Sequence, residues 1–255
     1  KAPIVNEMSV VLGHNTVNVA HQNETQWWYS KNFNGEYANR VVDTVDPVAS
    51  LFNSLDPDRL IGCIAYPATT ISKPGVIQHI EGNRFPVGEL CGMKTERVQM
   101  VSDLFTESGF KSRILDDIRS EIWLKLWGNL TFNPISALSH STLVDICQFP
   151  LTRQLAATMM TEAQTVGERL GAHFRIPMEK RIAGAESVGK HKTSMLQDVE
   201  AGKPVEIECM LGAVIELAEV TGVQTPTLRA IYACVSLLDK TLSQEKILIK
   251  GISKE

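Results

Sequence analysis

As far as residue 90 the chain consists of short apolar runs broken by turn formers, and beyond it long stretches with a helical period take over. A short helix is predicted over 5–12, ended by Gly13. The valine-rich run 16–20 alternates loosely and reads as a strand. The continuous apolar run 60–66 (LIGCIAY), stopped by Pro67, has the pattern of a strand covered on both faces, as in a parallel sheet. Runs 76–80 and 84–87, separated by Glu81-Gly82-Asn83, predict a hairpin. Residues 27–46 hold aromatics, Gly and Asn without a period and predict a long ordered loop. Helices are predicted over 94–108, 116–138, 151–170, 177–188, 205–221 and 226–242, with a frayed or peripheral tail over 243–255.

The composition, 44% hydrophobic and 21% charged over 255 residues, belongs to a folded globule of one large domain or two modest ones. A net charge of -4 with no long Lys/Arg stretch lacks the electrostatic footprint of a nucleic-acid binder, so nucleic acid is not an expected partner. No run reaches the roughly 18 apolar residues of a membrane span, and no charged-then-apolar leader opens the chain. The five cysteines are far apart and never in CxxC spacing, which indicates neither a disulfide framework nor a zinc site and fits a reducing cytoplasm. The six histidines form no HxxxH pair and no triad order, so no metal is expected.

Polar residues stand where apolar ones belong in IRSEIWLKLWGNLTFNPISAL, which starts at Ile118. On a helical wheel Ile118, Ile122 and Leu126 fall at roughly 0°, 40° and 80°, and Lys125, Asn129 and Asn133 fall among them at roughly 340°, 20° and 60°. An unpartnered buried lysine is costly, so this ladder needs a pocket, a partner or water. The alternative is that Lys125 reaches past Trp123 and Trp127 to solvent while the asparagines cap neighbouring turns. Pro134 is expected to end or kink the helix. In a second cluster Ser194 and Asp198 share a helical face, and Glu206 opens the next helix just after Pro204, although such residues are also ordinary caps. Asn23 lies just past the valine-rich strand, where open parallel sheets bind ligands and where turns also favour Asn.

WLKLWGNLTFNP together with TSMLQDVEAGKPVEIE resembles the ketopantoate reductase (2-dehydropantoate 2-reductase) family. The resemblance extends over nearly the whole chain and includes VAHQN at 19–23, IGCIAYPA at 61–68 and PGVIQH at 74–79. It implies an α/β plus all-α fold, with the remainder of a Rossmann-like dinucleotide-binding domain over 1–113. A helical substrate-binding and catalytic domain of the 6-phosphogluconate dehydrogenase C-terminal-like type would follow over 114–255, with the active site in the cleft between the two.

The same resemblance implies NADPH as hydride donor, a small 2-keto acid as substrate and a possible homodimer. Lys125 would be the general acid; Asn129, Asn133 and Ser194 would bind substrate; Glu206 would lie near the nicotinamide ribose and orient or neutralise Lys125. Asn23 would stand between cofactor and substrate, with Ala68 and Lys1 near the cofactor and Asp198 in a structural role around Ser194.

The chain also departs from the family's pattern. The opening strand and GxGxxG, about 70 residues or two βαβ-sized pieces, do not occur in it, and because Lys1 falls at a strand end inside a sheet the expectation is that they belong to the complete protein. The usual QNG turn is QNE, with Glu24 for glycine, and an Asn expected after the Asn-Pro step has no clear counterpart around 141–144. By the resemblance, the Trp27-Trp28-Tyr29 insertion belongs to a subgroup for which a keto acid other than ketopantoate is an open alternative. Two alternatives therefore stand beside a ketopantoate reductase of pantothenate and coenzyme A synthesis: a reductase of another branched 2-keto acid, and a truncated, catalytically incompetent binding or dimerisation module.

Overall fold

The structure is a computed structural model that describes Gly13 and residues 16–21, 23–33 and 35–245. The helix predicted over 5–12, the Lys1 position and the end of the tail lie outside the described residues. The chain divides into two compact units, Lys1–Ile122 and Trp123–Glu255.

In the first unit, strands β1 (Asn18–His21) and β2 (Leu60–Cys63) are parallel, with Asn18 opposite Leu60 and His21 opposite Cys63. On its other edge β2 pairs antiparallel with β5 (Val87–Glu89), giving the order β1-β2-β5. Every residue of β2 is buried, as its unbroken apolar run requires. One face of this sheet carries Ile61, Cys63 and Val87 against Val98 and Val101 of helix α2 (Glu96–Glu107). The other face collects Trp27, Trp28, Leu60, Leu115 and Ile118, with the short helix α1 (Ser50–Ser54) supplying Leu51.

Two glycines opposite one another in the sheet make room for that second layer. A Cβ on Gly62 would lie 2.8 Å from Cγ1 of Ile118 and 3.0 Å from Cη2 of Trp28, and one on Gly88 would lie 3.2 Å from Cβ of Ile118. Among its described residues the segment 27–46 has no helix or strand, yet Trp27, Trp28 and Tyr29 are all buried, Trp28 to 1% exposure. The aromatic insertion is thus core, and large aromatic burial supplies much of what holds an aperiodic segment in place. Arg119 ties it down further by donating to the carbonyls of Tyr29 (2.8 Å), Leu90 (2.5 Å) and Lys31.

The hairpin differs from the one predicted. Strand β3 (Ala68–Lys73) pairs with β4 (Val76–Glu81) through Pro74-Gly75, and 87–89 joins the main sheet instead. Proline presets φ for the first central turn position, and Gly75 at φ 77° takes the second, which only a left-handed residue fills. Reading Pro67 as the end of structure hid the β-branched run that follows it.

The second half follows the predicted helices with local differences. Those predicted are α3 (Ile118–Ser139), whose first turn belongs to the first unit, α5 (Pro150–Arg169), α6 (Met178–Ser187), α8 (Ala213–Thr221) and α9 (Pro226–Glu245), and two short helices outside the predicted spans join them, α4 (Leu143–Gln148) and α7 (Ser194–Glu200). α3 does not end at Pro134 but continues to Ser139. The single helix predicted over 205–221 opens instead with a π-helical turn, Glu208–Gly212. Packing fixes the arrangement within the unit. The indole Nε1 of Trp127 donates to the Met160 carbonyl at 2.7 Å, and its ring meets Phe174 edge-on at 4.9 Å. Glu162 of α5 accepts from the first free amides of α9, Thr227 (3.0 Å) and Leu228 (2.9 Å), a cap drawn from 65 residues away. Among the described residues no helix is long and apolar enough to cross a membrane, and no His/Cys/Asp/Glu group is arranged to hold a metal ion. The five cysteines are free thiols.

Candidate active site

The polar ladder survives folding because α3 runs unbroken through it. Lys125, Asn129 and Asn133 stand four apart on one helix, so they stack on one face. Lys125 and Asn129 are half-buried, and Asn133 is 6% exposed.

Ser194 reaches this ladder from a distant part of the chain. It is the first residue of α7, where the Thr193 side chain caps the helix by accepting from Leu196 N at 3.3 Å. Asn133 Nδ2 donates to Ser194 Oγ at 3.5 Å. The loop ahead of α7 is held by backbone bonds from Leu143 N to His191 O (3.0 Å) and from Val144 N to Gly189 O (3.3 Å). Ser136 Oγ closes the same region by donating to Ser141 O at 2.7 Å.

One turn along α7, Asp198 is half-buried, and its carboxyl is held above the ordinary carboxylate range. Burial is the main cause and the negative charge of Glu206 adds to it, while Lys203 opposes both. Glu206 is exposed and sits just before the π-helical turn. Asn133 with Ser194, and Asp198 with Glu206, are therefore the pairs brought together in the second unit.

In the first unit, Asn23 is exposed on the bend after β1. His21 is in register with Cys63, so Asn23 and Ala65 stand two residues beyond the ends of neighbouring parallel strands, the edge at which open α/β sheets take ligands. Ala68 is half-buried and opens β3. Lys1 lies outside the described residues.

The sequence profile for "Ketopantoate reductase PanE/ApbA C terminal" matches residues 117–239. A 2-dehydropantoate 2-reductase of Mesorhizobium japonicum is 45% identical over 236 residues, covering 92% of this chain and 72% of that protein. The chain belongs to the ketopantoate reductase family. The family's members are oxidoreductases, and its fold, a Rossmann-like α/β part followed by a helical part, is the one described above. A crystal structure of a protein from Ralstonia solanacearum assigned as a ketopantoate reductase superposes with a TM-score of 0.88 at 30% identity, over 94% of this chain and 75% of that one. A ternary structure of D-mandelate dehydrogenase with NADH and anilino(oxo)acetate shares the fold, at TM-score 0.78 and 16% identity, over 95% of this chain and 74% of that one. Other curated relatives, several of them archaeal, are spanned over 49–63% of their own length.

Two further features stand out, one already marked in the sequence and one not. Glu24, standing where the family's QNG turn has glycine, adopts φ 66°, the left-handed region that favours glycine, and its side chain is buried. A buried carboxylate at a left-handed turn position therefore stands next to Asn23. The second is Arg181 of α6, whose guanidinium lies against Gly128 of α3. Its only sequence signal is a glycine inside a long helix.

Proposed function

We propose that the chain carries the substrate-binding and acid-catalytic part of an NADPH-dependent reductase that converts a branched 2-keto acid, ketopantoate in the first instance, to its 2-hydroxy acid. The observation that carries the reading is the lysine-asparagine ladder with Ser194 at its far end. A 2-keto acid has three groups to recognise: a carbonyl to be protonated, a carboxylate, and a side chain that in ketopantoate ends in a hydroxyl.

A nicotinamide dinucleotide, when bound, supplies the hydride. The residues fit its nicotinamide end: Asn23 and Ala65 stand past the ends of parallel β1 and β2, with Ala68 at the start of β3. The glycine-led turn that takes a pyrophosphate is not among these 255 residues, and the Lys1 assignment toward the cofactor is carried by the resemblance alone.

Lys125 does the acid work. Its ammonium donates a proton to the carbonyl oxygen as the carbonyl carbon gains a hydride, and solvent reprotonates the amine for the next turnover. Held half-buried, the same charge stabilises the developing alkoxide more strongly than it would in water. Asn129, Asn133 and Ser194 offer neutral hydrogen-bonding groups that orient the rest of the substrate, and Glu206 orients Lys125 or balances its charge. The pathway is pantothenate and coenzyme A synthesis, in the cytoplasm.

A second reading within the same chemistry, reduction of a different branched 2-keto acid, is favoured by Glu24, a buried acid beside Asn23. Steady-state kinetics of the complete protein with NADPH separate the two. The ketopantoate reading expects kcat/KM for ketopantoate to exceed that for 2-ketoisovalerate, which lacks the hydroxymethyl group, by about tenfold or more. Equal values favour the second reading. Absence of turnover with every 2-keto acid overturns both and leaves a binding or dimerisation module.

A further inference from the structure

We infer that Tyr232 and Asp239 of α9 are positioning residues for Glu206, which they hold in place through the residues on either side of it, Val205 and Glu208. This deepens the reductase reading above and rests on the role that reading gives Glu206.

Glu206 stands at a weak point of the chain. Residues 201–204 are exposed and belong to no helix or strand, and the helix that follows Glu206 begins with the π-helical turn Glu208–Gly212. Helix starts fray, so an exposed carboxylate there keeps a fixed direction only if something outside the helix supplies one. α9 supplies it at two points. The Val205 amide donates to Asp239 Oδ1 at 2.9 Å, and the Tyr232 hydroxyl donates to the Glu208 carboxylate, lying 2.9 and 2.8 Å from its two oxygens. Tyr232 and Asp239 are seven residues apart, two helical turns, so both project from one face of α9. Val205 and Ile207 are buried while Glu206 between them is exposed, so the backbone is held on the packed side and the carboxylate is left at the surface. Burial and the neighbouring Glu208 carboxylate keep the Tyr232 phenol above its ordinary range, so it remains a donor through neutral pH.

The π-helical turn makes this hold consequential. Downstream of it, α8 is fixed by its buried residues Val214, Ile215 and Leu217. A π turn takes one more residue than an α turn, so relative to α8 the residues upstream are rotated by about 100° from where an unbroken α-helix would put them. Relaxation of 208–212 to ordinary helix would therefore swing Glu206 out of its present direction. Glu208 is the first residue of that turn, and its bond to Tyr232 opposes the relaxation there. Glu208 is exposed and Tyr232 is half-buried, and so open a pair adds only modestly to stability. A charge that orients Lys125 must be held within about 0.5 Å of its working place, and that is what two bonds bracketing Glu206 provide.

The test uses the complete protein with saturating NADPH and varied ketopantoate, with a thermal melt of each variant. Tyr232→Phe and Asp239→Ala are each expected to lower kcat about three- to tenfold, with KM for ketopantoate changed less than about twofold. Asp239→Asn should recover most of the Asp239→Ala loss, because its amide oxygen still accepts from Val205. In a Glu206→Ala background, itself low in kcat, adding either substitution should change kcat by less than about twofold, since there is no longer a carboxylate to position. An equal fold-loss in both backgrounds, a rise in KM that matches the fall in kcat, or wild-type kcat in both single variants overturns the inference and leaves the reductase reading standing. If Asp239→Ala does not fold, Tyr232→Phe, which removes one hydroxyl, decides alone by the same comparison. If Glu206→Ala turns over like wild type, the role of Glu206 falls and the positioning inference with it. If wild type reduces no 2-keto acid, the reductase reading falls as well.

Discussion

Asn133 and Ser194 lie 61 residues apart in the chain and meet through a 3.5 Å hydrogen bond from Nδ2 to Oγ. The bond joins a buried amide on α3 to an exposed hydroxyl at the first position of α7, so the polar ladder has a defined end.

Removing either partner should injure substrate binding before it injures the fold. Asn133→Ala is expected to lower kcat/KM for the keto acid by about tenfold, and Ser194→Ala by somewhat less, because one neutral hydrogen bond is at stake in each. Steady-state kinetics alongside thermal melts check this. A fall in melting temperature that tracks the kinetic loss would assign the pair to folding instead.

The packing of the sheet on α3 should be sensitive at Gly62. Alanine there would force its Cβ to within 2.8 Å of Ile118 and 3.0 Å of Trp28, both fully buried. A loss of about 1–3 kcal/mol in urea unfolding is expected from such overpacking. Unchanged stability would mean that Trp28 is free to move aside.

Much of this architecture is legible from periodicity. The ladder at 125, 129 and 133 needs nothing but the helical repeat, and the LIGCIAY run announces a strand buried on both faces. What local pattern does not carry is any contact between distant positions. Ser194 joins the ladder in the sequence only by family resemblance, and Arg181 leaves no trace beyond the glycine at 128 that makes room for it. The hairpin at Pro74-Gly75 was open to reading, because Pro-Gly is a strong turn signal, but the neighbouring Gly82 competed with it. The π-helical turn at 208–212 has no composition of its own.

Asp198 gives the fold a pH dependence of known sign. Its carboxyl is raised in the folded state, so the native protein holds more protons than the unfolded chain across the interval from the ordinary carboxylate value up to the raised one. Stability therefore falls as pH rises through that interval and stays lower above it. Asp198→Asn is expected to melt higher than wild type near neutral pH, with the advantage shrinking below the ordinary carboxylate range. Melting curves from acid to neutral pH check the sign, and an Asn variant less stable at neutral pH would refute it.

The cysteines should separate by reactivity. Burial pushes the Cys147 thiol up to about 11, and its side chain is enclosed, whereas Cys91 and Cys234 are exposed. Brief alkylation of the native protein near pH 8, read by mass spectrometry, should label Cys91 and Cys234 and spare Cys147 until denaturant is added. Native labelling of Cys147 would show that the α4–α6 packing around it opens.

The central claim is that Lys125 delivers the proton. The most direct measurement is kcat of Lys125→Ala in the complete protein with saturating NADPH and keto acid, beside a thermal melt of the same variant. Loss of a positioned general acid predicts a fall of about a hundredfold or more in kcat with the fold retained. A folded Lys125→Ala protein that turns over near the wild-type rate would contradict the account.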